Sequence, residues 1–264
     1  MARRRIRPTT LSAPYLRRVW LDRAAIPDQD AYPFCLPIFS DGFDLGFETA
    51  VTVIVGENGA GKSTILEGIA AIAGFDGGGG GKGHNSVEQG LEVTGADLSS
   101  ALRAAWLPKV PYGWFFRAET FFSVARYLDR SAIAAQEDLG AVTGAAPQFA
   151  PDYLSFSHGE GFIAFFEERC QKQGIYIFDE PESALSPARQ IEFLKLLRRM
   201  DQSGHCQVIM ATHAPMLMAY PGATLLRLAK YGLEPISVEQ TDHYRVMREF
   251  CADPRGFIEA TIEE

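Results

Sequence analysis

Val51-Thr52-Val53-Ile54-Val55-Gly56-Glu57-Asn58-Gly59-Ala60-Gly61-Lys62-Ser63-Thr64 opens on five apolar or β-branched residues and closes on a lysine and two hydroxyls, with three glycines between. A continuous β-rich run without polar alternation reads as a strand buried on both faces, the kind found in parallel sheets covered by helices. The residues that follow, 62–73, place Ile65, Ile69, Ile72 and Ala73 on one side of a helix that Gly74 ends. A glycine-rich turn between a strand and a helix leaves backbone N–H groups free to surround an anion. Gly56-x4-Gly61-Lys62-Ser63 is a complete Walker A pattern. The backbone of Gly56–Thr64 wraps phosphates, Lys62 charges the β- and γ-phosphates of ATP, and Ser63 reaches Mg²⁺.

Two more apolar runs share that character, Ile175–Phe178 and Gln207–Ala211. A helical stripe of Ile191, Leu194 and Leu197 follows the Ser186-Pro187 N-cap pair and stops at Gly204. Each run ends in chemistry: the Walker A loop after the first, Asp179-Glu180-Pro181 after the second, Thr212-His213 after the third. Open α/β sheets bind ligands beyond the carboxyl ends of their strands, so these groups belong on one edge. Asp179 is the carboxylate expected opposite Ser63 on Mg²⁺. Glu180 is the candidate base or positioner for attacking water. His213 is a candidate contact to the γ-phosphate and that water, the other reading being a structural histidine after a strand.

The composition suits this reading. At 264 residues, with 47% hydrophobic and 22% charged side chains, the chain can bury one substantial α/β core. No apolar run approaches the ~20 residues of a membrane helix, and the basic start is not followed by a signal-peptide core. Cys35, Cys170, Cys206 and Cys251 are scattered without a C-x-x-C pair, as expected of reduced thiols in a cytoplasmic protein. Residues 1–23 hold seven arginines against one acid, Asp22, a basic edge on a body whose overall charge is −8. That balance argues against unaided coating of nucleic acid, although the edge could touch it. The glycine run from Gly77 to Gly81 reads as a mobile loop.

Leu154-Ser155-Phe156-Ser157-His158-Gly159-Glu160-Gly161-Phe162 has two readings. Ser157 and Glu160 form a capping box, and the same small turn at a helix start can hold a phosphate. The order Walker A, Ser-x-Gly-Glu, Asp-Glu, His resembles the ATPase domain of the ABC superfamily, from about Phe43 to His213. The resemblance implies a P-loop fold with a mostly parallel sheet covered by helices. It makes Ser157, His158, Gly159 and Glu160 the signature, Ile175–Glu180 Walker B with its catalytic glutamate, Pro181–Ser186 the D-loop and His213 the switch histidine. It also implies an ATP-dependent homodimer in which the signature of one subunit closes on the ATP held by the other.

The Glu-ended signature resembles the chromosome-maintenance and DNA-repair branch, not the usual Leu-Ser-Gly-Gly-Gln of transporters. Ser186 stands where an Asp is common, and no Gln-loop is present. Glu119, after Trp114-Phe115-Phe116-Arg117-Ala118, is the candidate for sensing Mg²⁺ and water there, with a plain surface acid as the other reading. The segment between Glu119 and Ser157 shows no sustained heptads, so the expected molecule is a single arm-less head. Its core lobe would be about 1–120 and 172–264, with a small helical signature lobe at about 121–171. A hairpin over Thr224 to Val238 and a helix over Asp242 to Cys251 complete the expected elements. The expected activity is ATP hydrolysis coupled to an unknown protein partner or to nucleic acid. The alternatives are the energising subunit of a membrane transporter and an ATP-gated dimerisation switch.

Overall fold

The computed structural model describes residues 11–82, 95–120 and 158–263. All three apolar runs are strands, and the first lies beside the third, which in turn lies beside the second. The strands are β1 Leu16–Leu21, β2 Asp44–Gly46, β3 Val51–Val55, β4 Gly80–Gly81 and β5 Leu102–Trp106. They continue as β6 Gly113–Arg117, β7 Gly174–Asp179, β8 Cys206–Ala211, β9 Thr224–Ala229 and β10 Gly232–Pro235. The main sheet runs β10-β9-β3-β8-β7-β6-β4, and β2-β1-β5 form a second, antiparallel sheet. Strands β9, β3, β8, β7 and β6 are mutually parallel, while β10 and β4 pair antiparallel at the edges. Arg117 pairs with Asp179, Asp179 with Ala211, and Ala211 with Ile54, so the carboxyl ends of four strands line up.

The central strands carry apolar side chains to both faces. Val53, Phe116, Phe178 and Met210 join one core, and Ile54, Phe115, Ile177 and Ile209 join the other. Helix α1 is Pro37–Ser40, α2 is Lys62–Ala73 and α3 is Gly95–Ala101. Helix α4 is His158–Arg169, α5 is Pro187–Ser203, α6 is Pro215–Met218, α7 is Asp242–Ala252 and α8 is Pro254–Ile262. Helix α2 lies in the second core with β1 and β2, where Ile65, Leu66, Ile69 and Ala70 are buried. Helix α4 packs on the first through Phe162, Phe165 and Phe166. Phe165 and Phe166 meet Phe116, and Phe166 also meets Phe178 and Phe193, at centroid distances of 4.4 to 5.8 Å. Such ring pairs add about 0.5–1.5 kcal/mol each beyond their area, so they help to hold α4 against the sheet.

Three expectations change. The buried stripe of α5 is Phe193, Leu196, Leu197 and Met200, whereas Ile191 is exposed, because the helix turns a different face to the sheet from the predicted one. Ser186 precedes α5 but its side chain makes no cap hydrogen bond. The glycine run is not a free loop: Gly80 and Gly81 are buried in β4 against Phe115 and Trp114. A Cβ on Gly81 would sit 2.8 Å from the Trp114 ring, so close approach of backbone to indole is what requires glycine there. The predicted hairpin is β9–β10, and the predicted C-terminal helix is α7. No helix among the described residues is long and apolar enough to cross a membrane.

Candidate active site

The Walker A loop joins β3 to α2, with Gly59 and Gly61 at φ 75° and 99°, a left-handed backbone that suits glycine. Gly61 stands immediately before α2, whose first residue is Lys62. The Lys62 side chain is buried, and its Nζ donates to the carbonyls of Gly56 and Glu57 at 2.9 Å each. Burial pulls its pKa down, against the opposing pull of Glu180, Asp179 and Glu182. Thr64 is hydrogen-bonded to Tyr32 at 2.7 Å. Beside the loop lies a cavity of about 530 Å³ walled by Leu36, Ile38, Ile236, Arg227 and Lys230 as well as the loop itself. Its size and mixed lining suit a nucleotide.

Ser63 Oγ donates to Asp179 Oδ1 at 3.1 Å, which joins Walker A to the end of β7. Asp179 is buried, and burial pushes its pKa up to about 7 against the pull of Arg117 and the Ser63 hydrogen bond. Arg117, one strand over, places Nε 3.7 Å from Asp179 Oδ2. The same guanidinium donates to buried Glu67 of α2 at 2.6 Å and to Glu119 at 3.2 Å. Glu119 is itself mostly exposed, and reaches the Ser63–Asp179 pair through Arg117. A hydroxyl and a buried carboxylate at hydrogen-bond distance are hard oxygen donors of the right kind for Mg²⁺. Among the described residues no group of three or more acidic, histidine or cysteine side chains could hold a metal alone. The pair therefore fits an ion that also takes phosphate and water ligands.

Glu180 is the single non-glycine residue with positive φ among those described, at φ 48° and ψ 53°. Its N–H donates to the Ala211 carbonyl at 3.0 Å, which fixes the turn out of β7. A left-handed glutamate costs of order 1 kcal/mol or more and persists where its surroundings impose it. Here that backbone carries the carboxylate away from the strand to within 3.4 Å of His213 Nε2. His213 Nε2 is buried and forms no hydrogen bond among the described residues. Its Nδ1 lies 2.8 Å from Nε2 of His243 at the start of α7. Burial lowers the His213 pKa, and the nearby Lys62 charge adds to the effect. The His213 N–H donates to the Glu182 carboxylate, whose own pKa is raised by burial.

Sequence reading placed Lys62, Ser63, Asp179, Glu180 and His213 at one sheet edge, and contacts link Ser63 to Asp179 and Glu180 to His213. It missed Glu67, Arg117, Glu182 and His243. Of the signature, Ser157 and the side chains of His158 and Gly159 lie outside the described residues, and α4 begins at His158. The exposed Glu160 carboxylate of its first turn is paired with Arg189 of α5.

Two family models match parts of the chain: residues 161–219 match "AAA domain, putative AbiEii toxin, Type IV TA system", and residues 36–98 match "AAA domain". The hemin import ATP-binding protein HmuV of Burkholderia thailandensis is 30% identical over 206 residues, covering 68% of this chain and 74% of that protein. The chain belongs to the ABC-type ATPases. This ABC-type ATPase is also 34% identical over 70 residues to the OLD nuclease of Thermus scotoductus, which covers 26% of the chain and 13% of the nuclease. The SMC head domain from Thermotoga maritima overlays it with a TM-score of 0.45 and 15% identity, covering 85% of this chain and 100% of that one.

Proposed function

We propose that this ABC-type ATPase hydrolyses Mg²⁺-ATP in a site shared by two copies of the chain. The observation that carries the reading is the Ser63–Asp179 hydrogen bond of 3.1 Å, with Glu180 next in sequence and 3.4 Å from His213. Lys62 exchanges the Gly56 and Glu57 carbonyls for the β- and γ-phosphates, and Ser63 with Asp179 holds the metal. Mg²⁺, when bound, neutralises charge on the phosphate oxygens. Glu180 orients the attacking water and takes its proton as the new P–O bond forms and the bond to ADP breaks. His213 Nε2, buried without a hydrogen bond among the described residues, donates to the γ-phosphate. Ser157–Glu160 of the second copy closes the site.

Closure would be coupled to a partner in the cytoplasm, and the Glu-ended signature and the similarity to OLD nuclease favour nucleic-acid maintenance or repair. The similarity to an import ATP-binding protein favours a second reading, the energising subunit of a transporter. Glu180→Gln protein mixed with Mg²⁺-ATP should elute at twice the monomer mass, and ATP-free protein as monomer. A Glu180→Gln chain that binds ATP yet stays monomeric would remove the shared site. Nucleic acid retained by the ATP-bound dimer supports the first reading of the partner; a membrane protein retained with it supports the second.

A further inference from the structure

His243 falls outside every motif of the site, yet it is the direct neighbour of the switch histidine. We propose that His243 is a positioning residue for hydrolysis, holding His213 in the orientation and tautomer that aim an Nε2–H at Glu180 and the γ-phosphate. The proposal rests on the shared-site reading of His213 given above. Carboxylate and phosphate oxygens accept but do not donate, so His213 Nε2 must carry a hydrogen to engage either. A neutral imidazole that is protonated on Nε2 has a lone pair on Nδ1. The group 2.8 Å from Nδ1 must then be a donor, and that group is His243 Nε2. The two rings lie 4.9 Å apart and inclined by 53°, and the buried Nε2 of His213 faces Glu180 at 3.4 Å.

The backbone carrying His243 is fixed for the purpose. Ser237 and Gln240 form a capping box around the short helix Val238–Gln240, and buried Thr241 then caps α7 by accepting from the Tyr244 N–H at 3.2 Å. His243 follows in the first turn of α7. Charged groups bear on the pair from several sides: Lys62 and Glu180 face His213, Glu182 holds its backbone, and Asp242 precedes His243. Helix α6, between the two histidines in sequence, brings only apolar residues, Pro215 to Met218. Helix α7 itself buries no residue, so the imidazole pair is a main polar link from it to the site.

The test uses the full chain with His243→Ala, His243→Gln and His213→Ala, and the double alanine variant. A Gln amide can still donate to Nδ1. His243→Ala should lower kcat roughly ten- to a hundredfold, the usual cost of losing a partner that orients a working imidazole. Because His243 also lines the cavity beside the loop, ATP affinity is measured separately and kcat is compared at saturating ATP. His243→Gln should recover much of kcat, and the double variant should be no slower than His213→Ala. An unchanged kcat in His243→Ala, equal losses in the Ala and Gln variants, or multiplying losses in the double variant would each overturn the proposal. Nitrogen-15 imidazole spectra, simplified by there being five histidines, give a readout that needs no turnover. His213 should be the Nε2–H tautomer in the unmutated chain and a mixture in His243→Ala; an unaltered His213 signal also overturns it. Failure of the unmutated chain to hydrolyse ATP would count against the proposed function, whereas the spectra would still decide the role of His243.

Discussion

Asp179 is a carboxyl group whose surroundings work against its charge. Burial lifts its pKa to about 7, although Arg117 and Ser63 pull the other way. An unfolded aspartate releases its proton near 3.9. Between those values the folded chain keeps a proton that the unfolded chain has lost, so this group's stabilisation is complete below about pH 4 and disappears as pH rises through about 7. Asparagine cannot ionise, and its Oδ1 can still accept from Ser63. Asp179→Asn should therefore melt a few degrees above the unmutated chain at pH 8 without nucleotide, with the gap closing towards pH 4. A gap that does not change with pH would mean the carboxyl is not held up. The same variant should lose Mg²⁺-ATP hydrolysis, because the metal needs the charge that the fold resists. Under the proposed reading, the cost of keeping Asp179 is a site requirement, the usual origin of stability lost to activity.

At the level of elements, what could be read in advance followed from local pattern. The strands β3, β7 and β8 and the Walker A turn are continuous in sequence, and the order of their polar ends gave the sheet edge. The links that depend on distant residues carried no such signal. Glu67 and Arg117 are 50 residues apart, and His213 and His243 are 30 apart, with no spacing rule to join them. The α5 face was misjudged because Ile191, Leu194 and Leu197 mimic a stripe that Phe193 and Met200 in fact complete. Gln207 is a further example, invisible inside an apolar strand. Its buried amide accepts from Tyr15 and Leu16 N–H at 2.8 Å each and donates to the Leu16 carbonyl at 2.9 Å, which ties β1 to β8. Gln207→Ala would orphan three buried backbone groups. At about 1–3 kcal/mol each, the expected loss is on the order of 3 kcal/mol or more. Chemical denaturation should show it as a lower midpoint with an unchanged slope; a loss under about 1 kcal/mol would mean water replaces the amide.

Under the proposed shared site, the whole molecule carries two complementary parts: the Walker A loop before α2, and the proposed signature Ser157–Glu160. A closed two-fold assembly makes both half-sites useful at once, since whatever one copy offers its partner is offered back. That symmetry yields a mixing experiment. Lys62→Ala disables phosphate binding, and Ser157→Arg disables the signature, so each homodimer has two dead sites. In a mixed dimer, one site combines both defects, while the other joins the intact Walker A loop of one copy to the intact signature of the other. If the copies exchange freely and sites act independently, half of the dimers are mixed and each carries one good site, so hydrolysis should return to about a quarter of the unmutated rate. Tagged copies recovered together in ATP confirm that exchange has occurred. With exchange confirmed, mixed dimers as inactive as either parent would place the signature in the same copy as the loop it completes, or make the two sites obligately coupled. Repeating the mixture with one copy unmutated separates these outcomes. A dimer of unmutated and Lys62→Ala chains keeps one good site under the shared arrangement, and its silence alone would show coupling.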